Sequence, residues 1–154
     1  MPVSTLSMLE QIPTGDEETQ DTYKYVKALE SCKDYLDIFR LVKDVVRRSL
    51  GVERKGLNVI QSEMPLGLGA LHKVGTNLIV LNRRLLKAAG KWAPSKTELN
   101  SFIFYVMLHE YLHSLGYYDE METRRLAYQL IKENFGPGHP ASHYAKFGPW
   151  ILFR

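Results

Sequence analysis

The chain has 154 residues, of which 45% are hydrophobic and 24% charged, and its formal net charge is +3. This length favours one domain, and this composition is that of a globular protein able to bury a sizeable core. The charge is too small and too scattered to indicate a nucleic-acid partner.

The sequence also bears on the compartment. Cys32 is the only cysteine, which excludes an internal disulfide framework. No apolar run approaches the roughly 18 residues of a membrane span, and the first residues lack the order of a secretory signal. We therefore expect a cytoplasmic protein with no membrane partner. Nothing in the sequence indicates an oligomeric state.

The first third of the chain divides into an arm and a helical region. Residues 1–20 contain scattered prolines and show no strong periodicity, so we predict a flexible or draped N-terminal arm. From Asp21 to Leu50, apolar residues recur at steps of three and four, which predicts helical structure that ends at Gly51, either as one helix or as two helices separated by a break near Ser31–Asp34. Residues 21–154 are predicted to form a single domain.

The middle third predicts a small sheet. Residues 56–61, 70–74 and 77–82 are short apolar runs with the pattern of strands. Gly75-Thr76 marks a turn between the last two of them. The predicted fold class is therefore α+β: N-terminal helices, a short and mainly antiparallel sheet, a central helix and a C-terminal helix.

The central helix is predicted from Lys96 to Leu115. Ser95 is a typical N-cap, and Glu98 three residues later completes a capping box. Apolar residues surround this helix on nearly all sides, which is typical of a buried helix, and Gly116 is the expected stop.

This helix carries the sequence His109-Glu110-Tyr111-Leu112-His113, an H-E-x-x-H pattern. Residues four apart lie on the same helix face, so the two imidazoles can bind one metal ion. Glu110 can then act as general base towards a water molecule on that ion. Two histidines and a glutamate on an apolar helix otherwise each need another buried partner.

The pattern continues to H-E-x-x-H-x-x-G-x-x-D and at this point resembles the zinc-dependent metallopeptidases called zincins, in the Asp-terminated form of the metzincin motif. The resemblance covers about eleven residues. It implies that His109, His113 and Asp119 bind Zn2+, that Glu110 activates the metal-bound water, and that the substrate is a peptide or an unfolded protein. In zincins an edge strand pairs with the substrate, and residues 66–74 or 77–81 are the candidates here.

The third ligand has alternatives. Asp119 and Glu122 also fit a capping box for the next helix. If Asp119 is only a cap, Glu120 or Glu122 would be the ligand, which resembles the gluzincins. His139 and His143 are further candidates in the C-terminal region.

Several other residues are interpreted as structural. His72, on a strand, is expected at the surface or in a hydrogen bond rather than on the metal, and no tyrosine near the motif is assigned a catalytic role. The apolar residues 149–153 are expected to dock on the domain. We also predict that one terminus covers the cleft and lowers the activity of the resting protein.

Two other functions fit parts of the pattern. The run H-x-x-L-H-x-x-G-Y is similar to that of the YbeY-like metal-dependent endoribonucleases, but Glu110 follows the first histidine here and Asp119 replaces the last one. Only the peptidase needs Glu110 as a base. The third hypothesis is a non-catalytic module that zinc stabilises.

Overall fold

The centre of the computed structural model is a helix, α4 (Lys96–Ser114), whose residues from Asn100 to Leu108 are all buried. The structure describes residues 16–65, 67–73 and 75–154. Ser95 caps α4 as predicted, with its Oγ accepting from the backbone N–H of Glu98 at 3.1 Å. The helix ends one residue before the predicted end, and Gly116 beyond it has a φ of 107°, which glycine adopts without strain.

Two helices precede the sheet. Helix α1 (Asp16–Ser31) starts five residues earlier than expected, so only residues 1–15 of the predicted arm lie outside the described residues. Helix α2 (Tyr35–Leu50) is capped by Asp34 and ends at Gly51, whose φ is 70°. The predicted helical region is therefore two helices.

The sheet has three strands: β1 (Asn58–Ser62), β2 (Ala70–His72) and β3 (Leu78–Asn82). Their order is β1-β3-β2, with β1 parallel to β3 and β2 antiparallel to β3. The prediction of a mainly antiparallel sheet is wrong: the sheet is mixed. A turn joins β2 to β3, and β1 and β2 lie on opposite sides of β3.

Three helices and a short 3-10 helix complete the described fold: α3 (Arg83–Trp92), α5 (Glu120–Phe135), α6 (Pro140–Phe147) and the 3-10 helix (Pro149–Phe153). Helix α4 packs against all of them, against α1 and α2, and against strands β2 and β3. The α+β class is confirmed, with helices forming most of the described chain. Since α4 is packed on nearly every side, its side chains are held in fixed positions.

The C-terminal residues dock on the domain, as predicted. Ile151, Leu152 and Phe153 are partly buried against the core. The Phe153 ring lies 6.0 Å from the rings of both Trp92 and Phe102, centroid to centroid. None of the described helices is both long enough and apolar enough to cross a bilayer.

Candidate metal centre

His109 and His113 lie side by side on the face of α4 that points towards the start of α5. Their ring centroids are 4.6 Å apart, and the ring of Tyr105, one turn earlier, lies nearly parallel to that of His109. Both histidine side chains are mostly buried, with exposed fractions of 19% and 17%. The spacing of four residues on a helix therefore brings the two imidazoles together as the sequence predicted.

The carboxylate that meets them belongs to Glu120, the first residue of α5. Its Oε1 lies 2.7 Å from Nε2 of His109, and its Oε2 lies 3.1 Å from Nε2 of His113. Among the described residues, His109, His113 and Glu120 are the three whose ligand atoms all lie within 4.8 Å of one another.

A neighbouring backbone carbonyl orients the His113 ring. Nδ1 of His113 lies 2.6 Å from the carbonyl oxygen of Tyr117, and a carbonyl can only accept, so Nδ1 carries a proton. In the neutral ring Nε2 then has a lone pair and faces the Glu120 carboxylate. Two acceptors repel each other at 3.1 Å unless a proton or a metal ion lies between them. This is the histidine tautomer that a metal site requires.

The surroundings of His109 also favour a metal ligand. Its Nε2 is buried and makes no aligned hydrogen bond, although Glu120 Oε1 is only 2.7 Å away. Burial lowers the pKa of His109 and outweighs the opposite effect of Glu120, while His113 lowers it further. A neutral imidazole with a buried, unsatisfied nitrogen is a good metal ligand and a poor structural group.

The distances suit a small divalent ion. Zn–N and Zn–O bonds of about 2.0–2.1 Å place neighbouring ligand atoms roughly 3.3 Å apart in a tetrahedron. The two contacts to Glu120, at 2.7 and 3.1 Å, are shorter than this value and are made by its two different oxygens, while the three ligand atoms of the group all lie within 4.8 Å of one another. Two imidazoles and one carboxylate are also the mixed donor set that suits zinc. The residues present therefore fit this ion.

The glutamate of the motif, Glu110, stands beside this group without being part of it. Its side chain is 12% exposed. Burial raises the pKa of Glu110 to about 7, and Glu120 raises it further, whereas His113 and a hydrogen bond from the backbone N–H of His72 lower it. A carboxylate with a pKa near neutrality can accept and return a proton at physiological pH.

The centre opens onto a cleft of about 330 Å³. It is lined by the run 67–70 that leads into β2, by residues of α4, and by Glu120, Arg124, Pro149 and Trp150. The first of the two predicted rim stretches is thus the one at the cleft. At Gly69, an added Cβ would lie 3.4 Å from Val106, at van der Waals contact, so this run packs directly against α4.

Asp119, the third ligand in the sequence prediction, does not join the group. It is the N-cap of α5, and its Oδ1 accepts from the backbone N–H of Glu122 at 2.9 Å. The capping interpretation thus describes Asp119, and the neighbouring Glu120 meets the histidines. The physical reason is the start of the helix: the N-cap side chain turns back on its own first turn, while the next residue faces α4.

The remaining candidates lie elsewhere. His139 caps α6 through its Nδ1, which accepts from the backbone N–H of Ala141 at 3.1 Å, and His143 is exposed on α6. Nε2 of His72 contacts Arg54 and the carbonyl of Thr76, as expected for a hydrogen-bonded histidine. Glu122 is exposed in the first turn of α5.

Two further residues, Thr123 and Arg124, support this group, and neither is assigned a role from the sequence. Thr123 is buried, and its Oγ1 lies 2.9 Å from the Tyr117 carbonyl that also orients His113. Arg124 donates from Nε to Oε1 of Glu120 at 3.2 Å. Burial raises the pKa of Glu120, but the two histidines and Arg124 together lower it below its usual value. Only the spacing of four between Glu120 and Arg124 could have indicated one of these contacts.

No protein-family model, no curated protein and no solved structure matches this chain.

Proposed function

We propose that this protein is a zinc-dependent metallopeptidase in which Glu120, rather than Asp119, is the third protein ligand. One observation carries the proposal: two imidazoles and a carboxylate converge from α4 and α5 next to a mostly buried glutamate, at an open cleft. Three protein ligands that leave a position free are typical of catalytic rather than structural zinc sites.

The roles of the residues follow from their positions. His109, His113 and Glu120 would hold the ion, which when bound lowers the pKa of a water molecule and polarises the scissile carbonyl. Glu110 takes the proton from the water as general base and returns it to the leaving amine as general acid. Tyr117, through its carbonyl, keeps His113 in the required tautomer.

The strand next to the cleft supports a peptide as substrate. In the β2–β3 ladder, Gly69 accepts a hydrogen bond from Asn82 at 3.0 Å, so the main-chain groups of Ala70 point the other way, to the free edge. Ala70 also lines the cleft. An extended peptide in the cleft would pair with this edge through its own main chain.

The charge of the cleft weighs against the endoribonuclease. Two carboxylates, Glu110 and Glu120, line it together with a single cation, Arg124, whose Nε is already engaged with Glu120. A phosphate backbone needs a surplus of cations, which these residues do not supply. That reaction also has no use for Glu110.

The proposal is tested with purified full-length variants and elemental analysis. We expect about one zinc per chain in the wild type, loss of zinc in His109→Ala and Glu120→Ala, and full zinc in Asp119→Ala. Glu122→Gln is the matched control, because it removes a neighbouring carboxylate that lies outside the group. Full zinc in both the histidine and the Glu120 variants would refute the metal site.

Hydrolysis is tested separately on an unfolded protein substrate. Glu110→Gln should keep its zinc and lose activity, since Glu110 moves a proton and does not bind the ion. Loss of zinc in this variant would mean that Glu110 is a ligand. A wild type that loads zinc but cleaves nothing would favour the non-catalytic module.

A further inference from the structure

Arg124 is the one lysine or arginine among the described residues that line the cleft. It lies on α5, one turn after Glu120, and its side chain is 61% exposed. Its Nε donates to Oε1 of Glu120 at 3.2 Å. Arg124 therefore combines one fixed contact at the metal group with access from the cleft.

The contact with Glu120 uses only one of the five N–H groups of the guanidinium. Within the part of the chain that the structure describes, Nη1 and Nη2 of Arg124 make no hydrogen bond or ion pair. A guanidinium presents its N–H groups in a planar fork that matches the two oxygens of a carboxylate. Because Nε is already held by Glu120, the edge formed by Nη1 and Nη2 is the one that a ligand can bind.

The guanidinium lies close to the metal group, on the side of His109. The oxygen of Glu120 that accepts from Arg124 lies 2.7 Å from Nε2 of His109, whereas the other oxygen faces His113. Two short contacts thus connect the guanidinium with a proposed ligand nitrogen. An extended peptide advances about 3.3–3.6 Å per residue. A group bound to Arg124 would therefore belong to a residue one or two positions from the scissile bond.

The charges of the cleft favour an acidic group at this point. Glu110 and Glu120 line the cleft together with Arg124. A bound zinc ion would offset both carboxylates, because it brings two positive charges. Arg124 then remains as an uncompensated cation, in a cleft that also exposes the apolar side chains of Leu68 and Trp150. A carboxylate on the substrate would complement this charge.

We propose that Arg124 is a specificity-determining residue, which selects peptides that carry a carboxylate one or two positions from the scissile bond. The carboxylate would come from an Asp or Glu side chain or from the C-terminus of the peptide, since both present the same pair of oxygens. This inference deepens the proposed function and rests on it. Its binding step can be measured without turnover.

The first test compares cleavage of matched octapeptides by the zinc-loaded full chain. One Glu is moved through the peptide and paired each time with Gln, and a further pair has a C-terminal acid or amide. We expect kcat/KM to be about fivefold higher for the carboxylate member of at least one pair, the size of one exposed ion pair. The pair that shows the preference identifies the source of the carboxylate. Equal kcat/KM within every pair would overturn the proposal.

The variants assign this preference to Arg124. Arg124→Gln should abolish it, and Arg124→Lys, which keeps the charge but loses the planar fork, should keep part of it. Arg125→Gln is the matched control, because Arg125 is the next residue of α5, is exposed and is not among the described residues that line the cleft. This control removes the same charge and should retain the full preference.

Arg124 also contacts a proposed ligand, so its loss would act in part through Glu120. Such an effect lowers kcat/KM by the same factor for both members of a pair, and an unchanged ratio in Arg124→Gln would overturn the proposal. If Arg124→Gln does not fold or does not hold zinc, the wild type supplies the measurement. Its preference should fall at least twofold between about 0.05 and 0.5 M salt, and a preference independent of salt would overturn the proposal.

Binding separates this proposal from the proposed function. If the wild type cleaves none of the peptides, the peptidase is refuted, and isothermal titration calorimetry of the same pairs on the zinc-loaded protein still tests Arg124. An affinity about fivefold higher for the carboxylate member, lost in Arg124→Gln and kept in Arg125→Gln, would support carboxylate binding by Arg124. Equal affinities within every pair would overturn it.

Discussion

Replacing Glu110 by glutamine should make the metal-free protein more stable at high pH. The Glu110 side chain is only 12% exposed, and its pKa rises from 4.5 to about 7, mainly because burial disfavours the charged form. Glutamine has nearly the same shape and cannot ionise.

The sign and size follow from proton linkage. Below about pH 4.5 the Glu110 carboxyl group is protonated in both the folded and the unfolded protein, so it does not change the free energy of unfolding. Between 4.5 and about 7 only the unfolded state loses this proton, so the free energy of unfolding falls as the pH rises. Above about pH 7 Glu110 is charged in both states, and the folded protein bears the full cost of burying this charge. At about 1.4 kcal/mol per pKa unit, the difference between 4.5 and about 7 gives about 3 kcal/mol.

The assay is urea unfolding with a chelator present, at pH 5 and at pH 8. We expect Glu110→Gln and wild type to be close at pH 5, and the variant to be about 3 kcal/mol more stable at pH 8. Histidine titration affects both proteins and largely cancels in the comparison. The matched control is Glu63→Gln, which removes a carboxylate that is exposed to solvent. If the two proteins differ equally at both pH values, Glu110 is not a buried acid with a raised pKa.

Three further predictions concern packing and buried polar groups. Asn82→Ala should lower the free energy of unfolding by about 2–4 kcal/mol, since this fully buried side chain is hydrogen-bonded to the backbone of Met64, Pro65, Leu68 and Arg84. Denaturant unfolding measures this free energy, and a change below about 1 kcal/mol would contradict the prediction. Met107→Ala should lower it by about 2–5 kcal/mol, because Met107 is fully buried in α4, and a neutral result would mean that the cavity collapses. Cys32 should react slowly with a thiol reagent at pH 8 until the protein unfolds, because burial, with Asp37 and Asp34 nearby, raises its pKa to about 11; rapid labelling of the folded protein would contradict this.

The central helix could be predicted to within one residue because local signals agree there. Ser95 provides the cap, Gly116 provides the stop, and apolar residues fill the turns between them. The sheet could be predicted only in part. The turn at 75–76 marks β2 and β3 as neighbours, but no local signal says on which side of β3 the first strand pairs, or in which direction.

The candidate site could likewise be predicted only in part. The spacing of His109, Glu110 and His113 predicts two candidate ligands on one helix face with a glutamate beside them, because an α-helix has one geometry. The third position depends on where α5 begins. Asp119 and Glu120 are adjacent, and a shift of the helix start by one residue exchanges the cap and the group that faces the histidines. Helix boundaries are uncertain by one or two residues when only the sequence is known.

The supporting contacts could not be predicted at all, because they join distant residues. Arg54 donates to carbonyl groups 22 and 60 residues away, and its position depends on the path of a loop. The carbonyl of Tyr117, which orients His113, belongs to no side chain and has no signature. Such contacts follow from the assembled fold, not from any local pattern.

The division of the proposed ligands between two helices has a consequence for folding. His109 and His113 belong to α4, which is fixed by packing on nearly all sides, and Glu120 belongs to α5, whose Ala127, Leu130 and Ile131 are buried in the same core. A metal ion at this site would join two elements that the core already holds together. It would add stability through binding to the folded state alone, by mass action. This differs from a zinc finger, in which the metal replaces a core that the chain is too short to build. The metal-free protein should therefore stay folded, and its histidines and glutamate remain close enough to bind the ion without refolding.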